Sequence, residues 1–114
     1  MLKDILDSCP AGLLPDAHLA GHSHNYQRYR RTINGTVIPY IVAGCGGHAS
    51  TPLDPVAAPA EADLTYDVAF PVKGQPQSGY GYLKITASQS SLKIEFFALD
   101  DRATAFDSYE ISIN

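Results

Sequence analysis

The C-terminal third of the chain is dominated by a period-two alternation of apolar and polar residues. Residues 83–87, 92–96 and 109–113 each place an apolar side chain at every second position, with lysine, threonine, glutamate or serine between. Strict alternation is typical of a strand that has one face in the core and the other in water. Three such segments in succession predict an antiparallel β meander over residues 80–114, with one apolar face.

The dipeptide Asn34-Gly35 predicts a second local structure, a β-hairpin. Both central residues of a type I′ turn need positive φ, which Asn and Gly adopt most readily. The second strand of this hairpin is predicted over residues 37–43. It ends at residues 44–47, where three glycines permit unusual φ values or the close approach of another backbone segment.

The N-terminal part predicts a short helix followed by one strand. Four apolar residues recur at the spacing of one helical face, and Pro10 ends that pattern. These residues are Leu2, Ile5, Leu6 and Cys9. The run Ala17–Ala20 is bounded by turn residues and predicts a buried strand that leads into a loop at Gly21.

Residues 51–79 are predicted to be a loop rather than a second domain. Pro and Ala are frequent in their first part, and no periodicity is apparent there. The 114 residues are of a length that fits one globular domain. We therefore expect a single domain, 1–114, of the α+β class and predominantly β.

Composition argues against several classes of protein. The formal net charge is −4, whereas a general nucleic-acid-binding protein needs a basic surface. The longest apolar stretches are far shorter than the ~20 residues that span a bilayer, so we expect no membrane span. Charged residues near the start interrupt any signal-peptide core, and the sequence supports no localisation.

The two cysteines, Cys9 and Cys45, do not form a recognisable metal or disulfide pattern. They lack the spacing of a zinc ribbon or of a disulfide framework. We expect both to be free thiols that behave as small buried hydrophobes.

The densest cluster of polar residues directly follows the predicted strand 17–20. It reads Gly-His-Ser-His-Asn-Tyr-Gln-Arg over residues 21–28. In an extended segment, His22 and His24 point to the same side, so one short loop can present two nitrogen ligands to a metal ion. Gly21 permits the sharp turn that would aim them. Taken alone the pair is moderately specific, and ordinary surface or core histidines are the competing interpretation.

Residues 21–28 resemble the last metal-binding motif, Gly-His-x-His, of the calcineurin-like metallophosphoesterases. Their Asn-Tyr-Gln-Arg ending is similar to that of the purple acid phosphatase branch, and residues 40–48 are similar to the strand and glycine turn that follow. Residues 79–83 and 105–108 resemble the closing strands of the branch. The resemblance spans nearly the whole chain but only the C-terminal portion of the family's catalytic domain. It implies the late strands of a four-layer α/β/β/α sandwich.

The resemblance also implies a dinuclear centre, of Fe, Zn or Mn, that hydrolyses phosphate esters. His22 would bind the second metal and His24 the first. The family's other ligands, an Asp-x-His pair, a bridging Asp, an Asn and a further His, are not in this chain. Asp16-Ala17-His18 matches the letters of the Asp-x-His pair but not its position. We therefore assign no catalytic residue, and expect at most one weakly bound ion and no activity without the missing N-terminal half.

Four further residues are candidates for contact with a phosphate ester substrate. The guanidinium of Arg28 can bind two phosphoryl oxygens, and Arg30 and Arg31 extend the cationic run. The competing interpretation of these arginines is a solvated face of an edge strand, since edge strands commonly carry charge. The side chain of Asn25 can orient the imidazoles. The candidates are Asn25, Tyr26, Arg28 and His48.

Two functions from different classes remain open. The first is hydrolysis of a phosphate ester by a two-metal site that this chain completes. The second is a non-catalytic, β-rich binding or assembly module, in which His22 and His24 bind a single zinc ion or none. The meander presents an apolar face that one short helix cannot cover, so we also expect self-association or pairing with another polypeptide.

Overall fold

Seven β-strands form two sheets in the computed structural model, which describes residues 14–47, 49–54, 63–74 and 79–113. The strands are β1 (His18–Ala20), β2 (Tyr26–Ile33), β3 (Thr36–Ala43), β4 (Leu64–Phe70), β5 (Gly81–Ala87), β6 (Ser91–Ala98) and β7 (Asp107–Ser112). These ranges contain no helix, so none of them holds a helix long and apolar enough to cross a membrane. The prediction of a predominantly β fold is confirmed. The predicted helix over residues 2–9 lies outside the described residues.

The first sheet has the order β1-β3-β2-β4, in which β1 is parallel to β3 and the other pairs are antiparallel. Strands β2 and β3 form the predicted hairpin, and Ile33 pairs with Thr36 across its turn. Asn34 has φ 50° and Gly35 has φ 80°, the signs that a type I′ turn requires. The hairpin prediction is confirmed.

Pro39 lies inside β3, where a missing N–H group would normally interrupt the ladder. It pairs with Arg30 of β2. Because Ile33 and Thr36 flank a two-residue turn as a hydrogen-bonded pair, the pair that contains Pro39 is non-hydrogen-bonded. The proline nitrogen therefore points toward the β1 side of the strand, and β1 pairs with β3 only from Tyr40 onward. The proline thus removes no hydrogen bond from the ladder.

The second sheet is an antiparallel meander with the order β5-β6-β7. Ile94 of β6 pairs with Ile85 on one side and with Tyr109 on the other, so the alternating apolar residues of the three strands share a face. The meander prediction is confirmed.

The two sheets pack face to face, and the core lies between them. The ring of Tyr26 stacks on that of Phe96 with centroids 4.1 Å apart, and Phe70 lies 5.5 Å from the same ring. The buried core consists of Tyr26, Ile41, Cys45, Phe70, Ile94, Phe96 and Ala98. The expectation that the chain has only one short helix to cover the meander is wrong, because residues of the first sheet pack on its apolar face. Toward the far end, Ile85 is 46% exposed, and self-association stays a prediction.

Cys45 is a buried free thiol, as expected. Burial raises the pKa of this thiol, which disfavours the reactive thiolate. Cys9 lies outside the described residues.

Two predicted boundaries need correction. The predicted loop over residues 51–79 contains β4, in which apolar residues alternate from Leu64 to Phe70 beside a stretch rich in Pro and Ala. This strand pairs with β2 along most of its length. The strand predicted over 17–20 is present as β1 but is not buried throughout, since Leu19 is 47% exposed. The reason is that β1 ends the order of the described sheet and has a neighbour on one side only.

Candidate functional site

The two predicted metal ligands lie in a loop that joins β1 to β2, which we call the histidine loop (residues 21–25). This loop is a series of bends rather than an extended segment, and His22 has φ 78°. The prediction that Gly21 supplies the sharp turn is wrong, because the left-handed residue is His22. The rule that residues i and i+2 share a side therefore does not apply. The imidazole-bearing residue His22 is exposed and His24 is half-buried.

Gly44, directly after β3, holds the histidine loop from one side. A Cβ on Gly44 would lie 2.1 Å from the backbone oxygen of Ser23, a distance that no side chain tolerates. The amide of Gly44 donates to the carbonyl oxygen of Asn25 at 3.0 Å. The close backbone approach predicted for the glycine turn is thus confirmed at Gly44, whereas a Cβ on Gly46 or Gly47 would meet open space.

Thr51 holds the histidine loop from another side. Its amide donates to the carbonyl oxygen of His24 at 2.9 Å, and its carbonyl oxygen accepts from Nδ2 of Asn25 at 2.9 Å. Both backbone polar groups of Thr51 are therefore bonded to the loop. Asn25 is 2% exposed, so this candidate substrate contact is a buried residue that joins two loops.

The side chain of Asn25 continues into a buried chain of polar groups. Its Oδ1 accepts from Nε2 of Gln27 at 2.7 Å, and Oε1 of Gln27 accepts from the hydroxyl of Tyr29. Burial raises the pKa of Tyr29, so this hydroxyl keeps its proton. The sequence prediction did not single out Gln27 and Tyr29. The usable signal was the period-two spacing of Gln27 and Tyr29 within the predicted strand, which places both residues on one face of the sheet.

Tyr26, a second candidate for substrate contact, points into the core instead. Its hydroxyl donates to Asp107 at the start of β7, and its ring packs on Phe96. Burial and the hydrogen bond to Asp107 raise the pKa of Tyr26. Its polar atom therefore serves to tie the two sheets together.

The guanidinium of Arg28 is hydrogen-bonded to two carboxylates. Its Nε and Nη2 donate to Asp107 at 2.7 and 3.1 Å, and its Nη1 donates to Asp67 at 2.7 Å. The guanidinium carbon lies 4.9 Å from the ring centroid of Tyr109. Arg30 shares Asp67 at 2.9 Å. A guanidinium with these partners is poorly placed to bind a phosphoryl group, so Arg28 links β2 to β4 and β7.

The competing interpretation of the arginines, a solvated face of an edge strand, is wrong for the position of β2 and for Arg28 and Arg31, whereas the side chain of Arg30 is 46% exposed. β2 lies between β3 and β4 in the first sheet, and the side chain of Arg28 is 14% exposed. Arg31 is 7% exposed and forms an ion pair with Asp63 at 3.2 Å. The acidic partners lie on other strands or at their ends, so the sequence around the arginines gives no sign of them.

The described residues do not complete a metal site. They contain no group of three or more His, Cys, Asp or Glu side chains placed to hold an ion. A catalytic metal needs about three protein ligands, so His22 and His24 would need partners from outside this set. The remaining candidate, His48, lies outside the described residues.

Comparisons with family models, with curated proteins and with solved structures find no match to this chain. The functional assignment therefore depends on the motif and on the geometry of the histidine loop.

Proposed function

We propose that this chain is the C-terminal part of a metallophosphoesterase domain, and that His22 and His24 supply ligands to a dinuclear metal centre that hydrolyses a phosphate ester. The single observation that supports this most is the left-handed backbone of His22. The loop has a glycine one residue earlier, yet the positive φ falls on a residue that carries an imidazole. Non-glycine residues held in this conformation cluster at functional sites.

The surroundings of the histidine loop support the same proposal. The loop follows the carboxyl end of β1, and the glycine turn after β3 lies against it. Left-handed backbone at an L-residue costs roughly 1–2 kcal/mol, which the contacts of Gly44 and Thr51 offset. A rigid loop of this kind presents imidazoles in one orientation, as a metal centre requires.

Each residue would then have a defined task. The neutral imidazoles of His22 and His24 would each donate one nitrogen to a metal ion. When bound, a pair of Fe, Zn or Mn ions would supply the Lewis acid that polarises the ester and the activated water. The remaining ligands would come from the N-terminal half of the domain. In this proposal the two packed sheets are the closing strands of the two inner layers of an α/β/β/α sandwich.

Zinc titration of the 114-residue chain tests the proposal. We expect one weakly bound ion, in about the micromolar to millimolar range, and weaker binding, by about tenfold or more, in both His22→Ala and His24→Ala. His18→Phe is the matched control, because it removes a histidine near the loop and keeps a ring beside Tyr40. No binding at ~1 mM zinc, or equal binding by all variants, would contradict the proposal and favour a non-catalytic assembly module.

Hydrolysis assays give a second test. With an aryl phosphate or an aryl phosphodiester and added Mn²⁺, Zn²⁺ or iron, the chain alone should show negligible turnover. Two imidazoles cannot hold two ions in the geometry that in-line displacement needs. Metal-dependent turnover that disappears in the His22→Ala/His24→Ala double variant would overturn the view that the chain holds only part of the site.

A further inference from the structure

We propose that Asn25, Gln27 and Tyr29 are positioning residues for the histidine loop. Their side chains form one chain of hydrogen bonds whose direction is fixed, and this chain sets the path of the backbone at His24. The link to a metal ion rests on the proposed function, whereas the link to the loop stands on the contacts alone.

The three side chains are buried and in direct contact. Exposure is 2% for Asn25, 8% for Gln27 and 1% for Tyr29. The Tyr29 hydroxyl donates to Oε1 of Gln27, Nε2 of Gln27 donates to Oδ1 of Asn25 at 2.7 Å, and Nδ2 of Asn25 donates to the carbonyl oxygen of Thr51 at 2.9 Å. A buried polar network of this kind is rigid when each of its members is satisfied.

The carbonyl of Thr51 fixes the direction of the whole chain. A backbone carbonyl only accepts, so Asn25 must face it with its amide nitrogen and must turn its oxygen toward Gln27. Gln27 must then donate to that oxygen and accept from Tyr29. Reversal of either amide would place two oxygens against each other at one end of the chain. Tyr29 is therefore required as a donor, which agrees with the raised pKa of its phenol.

The chain acts on His24 through Thr51. The carbonyl of Thr51 is held by Asn25, and the amide of the same residue donates to the carbonyl oxygen of His24 at 2.9 Å. Nε2 of Gln27 also lies 3.4 Å from Oγ of Ser23, between the two histidines. Loss of any one of these hydrogen bonds would therefore loosen the backbone that carries the imidazoles.

Two nearly isosteric variants of the 114-residue protein interrupt the series of hydrogen bonds with little change of side-chain volume. Tyr29→Phe removes the terminal donor, and Gln27→Glu replaces the donor that faces Asn25 by an acceptor. Tyr40→Phe is the matched control, since it removes a hydroxyl from a neighbouring ring of the same face, 6.1 Å from Tyr29, that is not in the chain. The measurements are amide hydrogen exchange at Thr51, the global stability, and the affinity for zinc alone.

We expect protection of the Thr51 amide to fall about tenfold in Tyr29→Phe and Gln27→Glu and to stay at the wild-type level in Tyr40→Phe, after correction for global stability. Zinc affinity should fall about tenfold or more in the same two variants. Gln27→Glu carries a further signature. Its carboxyl, once protonated at low pH, can donate to Asn25 and accept from Tyr29, so protection should recover toward about pH 5.

The other ionisable groups on this face are His18, Tyr40, Tyr66 and Arg31 with its partner Asp63. They are the same in wild type and in Gln27→Glu, so the difference between the two pH profiles belongs to the new carboxyl. If the Thr51 amide is protected from exchange equally in wild type and in both variants, the three residues have no positioning role. This holds even if the variants bind zinc with wild-type affinity. A wild-type chain that binds no zinc would contradict the proposed function, and the exchange data would then decide the positioning role alone. If Gln27→Glu fails to fold, Tyr29→Phe provides the same test.

Discussion

Two turns of the first sheet contain a non-glycine residue with positive φ, and they differ in what holds them. In the hairpin turn, Asn34 and Gly35 are exposed, and a Cβ on Gly35 would meet nothing within 4 Å. In the histidine loop, His22 has φ 78°, against 50° at Asn34. The amides of Gly44 and Thr51 donate hydrogen bonds to the residues that follow His22. One turn depends on its own residues and the other on tertiary contacts.

The two turns also differ in the residue type that carries the positive φ. Asn tolerates left-handed backbone because its short polar side chain can bond locally, so residue type and conformation agree at the hairpin. At the histidine loop the left-handed residue is a histidine, a type that is enriched at positive φ together with Asn and Asp but is still uncommon there. In the proposed function this conformation is retained because the imidazole of His22 is a metal ligand, as at sites where strain accompanies function.

The largest expected effect comes from Gly44→Ala. The added methyl would overlap the Ser23 carbonyl, so the loop or β3 must shift, and we expect a loss of about 3 kcal/mol in the free energy of unfolding. Zinc affinity should fall as well. Gly46→Ala is the matched control, because a Cβ there meets open space and should change the stability little. Urea unfolding of both variants decides this, and equal stabilities would show that the contact at Gly44 does not hold the loop.

Gly35→Ala should have the next largest effect. At φ 80° an alanine should lower the free energy of unfolding by roughly 1–2 kcal/mol, since no neighbouring contact compensates in this exposed turn. Zinc affinity should not change, because the hairpin turn is at the opposite end of β2 from the histidine loop. Unfolding by urea measures the first quantity, and calorimetric zinc titration measures the second. A variant that loses zinc binding while it stays folded would break the distinction between the two turns.

His22→Gly should stabilise the fold and weaken zinc binding. Glycine accepts φ 78° without steric cost, and relief of the strain should raise the free energy of unfolding by about 1 kcal/mol. Asn34→Gly, the equivalent change in the hairpin, should give about half of that or less. A lower thermal midpoint for His22→Gly than for wild type would argue that the imidazole contributes to stability and that its backbone strain is not retained for function.

The smallest expected effect is a pH dependence that involves His18, in the strand that leads to the histidine loop. Burial lowers the pKa of His18 from its ordinary value of 6.5, and its Nδ1 has no hydrogen-bond partner among the described residues. The unfolded chain therefore takes up this proton more readily, and the free energy of unfolding should fall as the pH drops below 6.5. His18→Phe, which keeps the ring beside Tyr40, should show a shallower decline. If the free energy of unfolding, measured in urea, has the same slope against pH in both proteins between about pH 8 and pH 5, His18 does not cause the pH dependence.

The local parts of the fold could be predicted from sequence because neighbouring residues determine them. The hairpin at Asn34 depends on two residues, and the meander on a strict alternation along each strand. β4 has the same alternation, but the Pro- and Ala-rich stretch before it masked the signal. In the site, the motif correctly identified the loop, and the glycine turn correctly identified a close approach.

The tertiary parts of the site could not be predicted in this way. The partners of Arg28 are Asp67 and Asp107, which lie 39 and 79 residues away, and nothing near Arg28 in sequence indicates them. The contacts of Gly44 and Thr51 are with residues 23–25, which follow His22, and they form only after the sheet has assembled. The turn was predicted at Gly21 because glycine adopts a left-handed backbone with the smallest steric cost.

X-ray absorption at the zinc edge counts the imidazoles bound to the ion, so it shows whether His22 and His24 are both ligands. In the zinc-loaded 114-residue chain, we predict two imidazole ligands in wild type and in His18→Phe, one in His22→Ala, and one in His24→Ala. A zinc environment that is the same in wild type and in the His22→Ala/His24→Ala double variant would show that neither histidine binds the ion.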